Sequence, residues 1–395
     1  MKKTICVAGK NDIAVDVLEF CINKYKEEYE IVAVTNRNDI GKDTWQRSLR
    51  KYCVTNDIKI ISLEETYDIS NLVFLSVEFD RIIKTELFKT ESLFNIHFSL
   101  LPKYKGMYPS VLPILNGEDV TGVTLHKMQN GIDTGEIIAQ KIIKIEDNDN
   151  ALDLYMKLMY KGKELLLENI DNLLNGNYLL KEQEAKGSTY FSTAAIDYKN
   201  LRLNERATAY QIKKQVLAYA FRPYQLLNFK GVGIIDATIT DKISDDSPGT
   251  VLFEDEISFK ISSIDYDVIL YKDVLSELFE CIAKQENEKA EFLCTSNKII
   301  NDKDEHGWSP LIVAVYNNNL HMTKYLIDRG SDIEVTNNNG TNLLMYAKDC
   351  YIRNNDLTIL KYLIEKGLSA YKKDYSGKNL IDYCRNENIN LENIL

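Results

Sequence analysis

Two residues apart near a strand end stand an amide and an imidazole, Asn95 and His97, in the stretch NIHFSLLPKYKG (95–106). On an extended chain that spacing puts both side chains on one face. Thirty-six residues after His97, in NGIDTGEIIAQ (130–140), Asp133 lies in a glycine-bounded turn that leads to another strand. A buried carboxylate orients an imidazole and supports its positive form, and a side-chain amide donates to a developing oxyanion. The three together suit acyl transfer to an amine. His97 accepts a proton, Asn95 and protonated His97 stabilise the tetrahedral oxygen, and Asp133 holds the geometry. No Ser or Cys nucleophile is needed, because a free amine itself attacks the acyl carbon. Each residue alone has a plainer reading: a satisfied structural histidine, a cap, a turn former. The combination with SLLP and DTG favours chemistry.

The elements that must position these residues follow from the patterning. TICVAG (4–9), EIVAVTN (30–36), IKIISL (58–63) and LVFLSV (72–77) are short apolar runs, and DIAVDVLEFCINKY (12–25) has apolar residues at helical spacing. Such alternation predicts a mainly parallel sheet with helices on both faces, with ligands beyond the carboxyl ends of the strands. Gly9 is not part of a G-x-G-x-x-G fingerprint, and no phosphate loop occurs, so a nucleotide-dependent dehydrogenase is not expected. After AKGSTYF (185–191) the pattern changes. A helix over 208–221, ended by Pro223, precedes β-type residues through 272, with DSPGTVLF (246–253) turning into a strand. In the tail, Gly307, Gly340 and Gly377 recur 33 and then 37 residues apart, the first spacing being the ankyrin period. A repeat block of about two and a half units buries little core by itself, so it is expected to dock on the preceding domain.

Composition narrows the function classes. At roughly 150 residues per domain, 395 residues make two or three domains. The formal net charge of −11 argues against nucleic acid as a partner, since binding needs cations to displace counterions. A cluster of Arg37, Lys42, Arg47, Arg50 and Lys51 reads as a solvated edge. Seven scattered cysteines without a C-x-x-C suit reduced cytoplasmic thiols and argue against a disulfide framework or a metal site. No run approaches the ~20 apolar residues of a membrane span.

NIHFSLLPKYKG followed by GIDTGEIIAQ resembles the signature of the folate-dependent formyltransferases, over roughly residues 1–185, with a weaker echo at PGTV (248–251). The resemblance implies a Rossmann-like α/β domain (1–187), a small partly β domain (188–290) and an α-helical ankyrin block (291–395). It implies N10-formyltetrahydrofolate as formyl donor, with no metal, and Asn95, His97 and Asp133 as the catalytic trio. Ser76, Glu78, Phe79, Asp80, Ile82, Leu101, Thr134 and Gly135 are implied for the folate pocket, although 76–83 also reads as a plain strand-to-helix join. The acceptor implied is a nucleotide-linked amino sugar, as in the ankyrin-bearing enzymes that formylate dTDP-3-amino-3,6-dideoxyglucose for O-antigen synthesis. A methionyl-tRNA type of enzyme, or an interaction protein with a relic transferase domain, stays open. Lys103, Lys105, Tyr108, Arg222 and Tyr224 are candidates for the acceptor's phosphates and base. Trp308, Tyr316 and Tyr346 are candidates for a second nucleotide-sugar site in the ankyrin block. A homodimer through the second domain is expected.

Overall fold

The computed structural model describes residues 2–222, 224–294, 298–387 and 389. The chain divides into two compact units, Met1–Leu201 with Leu217–Tyr219, and Arg202–Val216 with Ala220–Leu395.

In the first unit seven strands form one sheet: β1 (Lys3–Gly9), β2 (Tyr29–Thr35), β3 (Lys59–Ile60), β4 (Leu72–Val77), β5 (Leu93–His97), β7 (Val120–Lys127) and β8 (Ile137–Lys144), in the order β3-β2-β1-β4-β5-β7-β8. A two-stranded pair, β6 (Lys105–Gly106) with β9 (Tyr190–Phe191), stands apart from it. The strands from β3 to β5 run parallel, whereas β7 and β8 join antiparallel. Every residue of β4 is buried, as befits a parallel strand covered on both faces. The helix Asn11–Tyr25 buries Ile13, Ala14, Val17, Leu18, Cys21 and Tyr25, a 3.6-period stripe facing the sheet. The helix Ala151–Asn175 starts at a reciprocal cap of Asn150 with Asp153 and stops at Gly176, whose φ is 71°. Such a cap satisfies two orphan donors, and glycine enters the left-handed region without a Cβ penalty. Within that helix, a Cβ on Gly162 would stand 3.0 Å from the Phe98 ring and 3.1 Å from Ile96. The glycine therefore lets the helix lie close against the end of β5.

The strand expected over 58–63 shrinks to Lys59–Ile60. Ser62 is already the N-cap of the helix Leu63–Tyr67, in a capping box with Glu65, so its backbone is committed to the helix. The helix expected over 208–221 spans Ala209–Tyr219; Pro223 lies outside the described residues.

The second unit carries a five-stranded antiparallel sheet of β10 (Leu227–Phe229), β11 (Val232–Ile239), β12 (Val251–Glu254), β13 (Ser258–Ile261) and β14 (Val268–Lys272), in the order β10-β11-β14-β13-β12. Helix pairs follow at Leu275–Ala283 with Asn287–Leu293, Pro310–Tyr316 with Leu320–Asp328, and Leu343–Asn354 with Thr358–Glu365, then the helix Leu380–Asn386. The first of these pairs precedes the earliest repeat visible in the sequence. One apolar core joins Ile235, Leu278 and Ile282 to Leu311, Ile312, Leu343 and Leu360, with Leu226, Ile257 and Tyr271 packed against it. Asn319 Nδ2 donates to the Ile282 carbonyl at 3.0 Å and to Asn287 Oδ1 at 2.8 Å. The repeats thus share their core with the sheet-bearing part of this unit. Among the described residues no helix is long and apolar enough to cross a membrane, and all seven cysteines are buried free thiols.

A shared core predicts a shared unfolding transition. A fragment of residues 298–387 should be unfolded or self-associated at concentrations where a 202–387 fragment melts cooperatively. Circular dichroism with analytical ultracentrifugation checks this, and a monomeric, cooperatively folded 298–387 fragment would contradict it.

Candidate active site

Strand register decides what Asn95 and His97 meet. Asn95 stands beside Ser76 of β4 and opposite His126 of β7, while His97 stands opposite Thr124. His97 is 7% exposed. Its Nε2 lies 2.8 Å from the Tyr104 carbonyl. A carbonyl only accepts, so this bond places the proton of the neutral ring on Nε2. Nδ1 then faces Asp133 Oδ2 at 3.4 Å, where a proton taken up by the ring would meet a carboxylate. Burial lowers the His97 pKa, and it outweighs Asp133 and the Tyr104 carbonyl, which raise it; the ring is neutral at neutral pH. The Tyr104 backbone, rather than Asp133, thus sets the neutral tautomer.

Asp133 has φ 54°, in the left-handed region. Its Oδ2 accepts the Gly106 N–H at 2.9 Å, and its Oδ1 lies 3.6 Å from His126 Nε2. Burial would raise this carboxyl's pKa, but His97, His126 and the Gly106 amide outweigh it and bring it down to about 2. It is a carboxylate throughout the physiological range. A Cβ on Gly135 would fall 1.6 Å from the Lys127 carbonyl, so glycine alone lets the DTG turn pass β7 this closely.

His126 is a fourth member that the motif reading missed. It is 2% exposed, its Nδ1 is 3.1 Å from the Lys127 carbonyl and its Nε2 is 3.1 Å from Asn95 Nδ2. With the ring proton on Nδ1, Nε2 accepts one amide hydrogen of Asn95 and orients the other. The available signal was scarcity: only four histidines occur in 395 residues, and this one lies in the strand VTGVTLHK.

The residues expected around a folate are less uniform. Ser76 is buried next to Asn95, and Leu101 is buried with its N–H on Thr124 Oγ1 at 3.1 Å. Thr134 is exposed and Gly135 buried. Beyond β4 the chain forms a loop, with only a 3₁₀ turn at Thr85–Leu87, in place of a strand-to-helix join. There Glu78, at φ 52°, accepts from Tyr155 Oη at 2.8 Å and Asn11 Nδ2 at 3.0 Å, and burial raises its pKa. Phe79 packs edge-on to Phe74, and the Arg81 guanidinium lies over its ring. Asp80 accepts the Arg37 N–H at 3.0 Å, and Ile82 is 74% exposed. A cleft of about 730 Å³ is lined by Lys105, Thr134, Gln183 and the acidic Glu136, Glu182 and Glu184. Among the described residues no group of three or more His, Cys, Asp or Glu side chains is placed to hold a metal ion.

The acceptor candidates are dispersed. Lys103 is ion-paired with Glu118 at 3.1 Å. Tyr108 donates to the Thr193 carbonyl at 2.9 Å and meets Tyr198 edge-on. In the second unit, Arg222 is engaged by Asp273 at 2.7 Å and Asp302 at 3.3 Å, so its charge is already matched. Tyr224 is largely exposed beside Phe221. Trp308, Tyr316 and Tyr346 do come together, edge to face, with Trp308 5.0 Å and 5.1 Å from the other two centroids. The Arg353 guanidinium lies 3.8 Å over the Tyr316 ring.

Residues 5–170 match the formyl transferase family and residues 278–390 match ankyrin repeats in three copies. An N-formyltransferase from Helicobacter canadensis, solved with folinic acid and dTDP-3-aminofucose, is 42% identical, with a TM-score of 0.63 over 69% of this chain and 100% of its own. WlaRD, a sugar 3N-formyl transferase solved in the presence of dTDP and 5-N-formyl-THF, is also 42% identical, with a TM-score of 0.64 over 69% of this chain and 98% of its own. The methionyl-tRNA formyltransferase of Coxiella burnetii (strain CbuK_Q154) is 28% identical over 280 residues, 67% of this chain and 88% of that protein. The chain belongs to the formyl transferase family, as an N-formyltransferase joined to ankyrin repeats.

Proposed function

We propose that this enzyme moves the formyl group of N10-formyltetrahydrofolate to the amine of a dTDP-linked amino-dideoxy sugar, with dTDP-3-amino-3,6-dideoxyglucose the leading acceptor, in the cytoplasm, for surface polysaccharide (O-antigen) synthesis. The observation that carries the reading is 42% identity, across essentially their whole length, to two sugar N-formyltransferases. The clustering of Asn95, His97 and Asp133 supports it. The methionyl-tRNA reading rests on 28% identity, and a net charge of −11 fits a polyanionic acceptor poorly.

In this reading Asn95 is the oxyanion donor. As the neutral amine attacks the formyl carbon, charge grows on the formyl oxygen, and the Asn95 amide hydrogen not held by His126 meets it. His97, kept neutral by burial, takes the proton that the attacking nitrogen loses, and Asp133 stabilises the imidazolium. Collapse breaks the bond between the formyl carbon and N10 of the donor. His97 then returns the proton to N10, and the formamide and tetrahydrofolate leave. Residues 1–187 would supply this chemistry, 188–290 a homodimer contact, and 291–395 a second nucleotide-sugar site built on Trp308, Tyr316 and Tyr346. The meeting of the three rings is the observation that motivates that last assignment.

The acceptor is tested by offering dTDP- and UDP-linked 3-amino and 4-amino sugars, and methionyl-tRNA, with N10-formyltetrahydrofolate. Turnover should be greatest with a dTDP-linked 3-amino sugar, whereas preference for methionyl-tRNA, or no turnover at all, would reject the reading. His97→Asn should lower kcat by at least ~10²-fold. Because His97 is held below its ordinary pKa, kcat/KM of the wild type should stay level from neutral to mildly acidic pH and fall only below the ordinary imidazole range. Asp133→Asn removes the charge that opposes burial, so the acid limb of the residual activity should move to lower pH. Trp308→Ala should weaken calorimetric binding of the nucleotide sugar while turnover persists; an unchanged isotherm would refute the second site.

A further inference from the structure

The pattern of the sequence changes after AKGSTYF (185–191), and the segment 181–191 that ends there lies in the first unit and touches both loops that carry the site. At its beginning Lys181 exchanges two backbone bonds with Ile137, at 2.8 and 2.9 Å, extending the edge of β8. Gln183 Nε2 then donates to the Asp133 carbonyl at 2.8 Å and to the Gly135 carbonyl at 2.7 Å. Only the NH₂ end of an amide can face two carbonyls, and Gln183 Oε1 is left buried without a hydrogen-bond partner among the described residues. The amide therefore ties the two ends of the turn that carries Asp133. At the other end, Thr189 Oγ1 accepts the Tyr104 N–H at 2.7 Å. The Thr189 backbone accepts from Lys105 N at 3.0 Å and donates to the Pro102 carbonyl at 3.2 Å. Phe191 stacks on the Tyr104 ring, with centroids 5.7 Å apart.

The two residues gripped in this way share a further property. Asp133 has φ 54° and Tyr104 has φ 58°, left-handed values that non-glycine residues adopt only when their surroundings enforce them. Each also presents one acceptor to the same imidazole: the Asp133 carboxylate at Nδ1 and the Tyr104 carbonyl at Nε2.

We propose that Gln183 and Thr189 are positioning residues for the transfer reaction, Gln183 by fixing the turn that aims Asp133 and Thr189 by fixing the Tyr104 carbonyl that orients His97. The segment that carries them is a strap across the site. Neither residue need touch the formyl donor or the acceptor to act in this way. The proposal rests on the reading of His97 as the base for its kinetic consequences, but not for its effect on the ring itself.

The test therefore has two readouts on the full chain. In ¹⁵N-histidine-labelled enzyme without ligands, the His97 signals are assigned by their loss in His97→Asn, and their titration and tautomer shifts are followed in Thr189→Val, Thr189→Ser and Gln183→Met. Thr189→Val should erode the preference for the Nε2–H tautomer, and Thr189→Ser, which keeps the hydroxyl, should restore it. Gln183→Met should shift the His97 midpoint downward as the carboxylate loses its aim. With substrates, Thr189→Val and Gln183→Met should lower kcat by about 10- to 100-fold with both KM values within about twofold of wild type, and near-ultraviolet circular dichroism confirms the native fold. If the His97 signals do not respond, or if Thr189→Ser behaves as Thr189→Val does, the positioning role is overturned. If the ring responds while the wild type formylates none of the acceptors offered, the strap stands and the proposed function falls.

Discussion

A buried imidazole with a hydrogen-bond acceptor at each nitrogen is the constraint around which the catalytic unit is arranged. Burial disfavours the charged ring, so His97 rests neutral, while the Tyr104 carbonyl and the Asp133 carboxylate wait to stabilise it once protonated. Low dielectric strengthens both contacts and makes any misplacement costly. A carboxylate buried beside the ring needs a donor of its own, and it has one in the Gly106 amide. The turn at 133–135, the short β6 strand and the close pass of Gly135 over β7 all answer to that requirement.

The sheet supplies the rigidity. β5 is the point at which parallel pairing with β4 changes to antiparallel pairing with β7. Parallel strands end together at one edge, where ligands gather in open α/β sheets. The antiparallel partner brings in a side chain from the opposite chain direction, which is how His126 comes to stand against Asn95. Gly162 closes the arrangement from behind by letting a 25-residue helix settle on Phe98 and Ile96.

In the second unit the governing fact is shortage of core. A few ankyrin-like helix pairs cannot bury enough apolar surface alone. The helices 275–283 and 287–293 bridge the deficit by contributing Leu278, Ile282 and Leu293 to the same core as Leu311 and Leu343. Arg222, with Asp273 and Asp302 around its guanidinium, adds a largely desolvated ion-pair cluster between the sheet-bearing part and the start of the repeats. Such a cluster adds little net stability, because desolvation offsets the attraction. From sequence the same arginine reads as a free phosphate ligand, because the two aspartates lie 51 and 80 residues away.

Local signals carried much of this protein. Residues 72–77 are a strand because six apolar or small residues run without interruption. Helix 11–25 follows from its 3.6-residue stripe. Asn95 and His97 share a face because a strand has a period of two, and the ankyrin block announces itself by a 33-residue glycine spacing. What no local signal carried is everything that depends on chain segments meeting at a distance. His126 becomes Asn95's partner only through the register of β5 with β7. The Tyr104 carbonyl, a backbone atom with no identity in a sequence, sets the His97 tautomer. Gln183 and Thr189 reach the site only because the segment 181–191 folds back across both loops. The sequence by itself determined the chemistry available and the elements that bear it, since propensity and periodicity act over a few residues. The tertiary structure alone decided which acceptor faces which ring nitrogen, since that depends on register and loop closure over tens of residues.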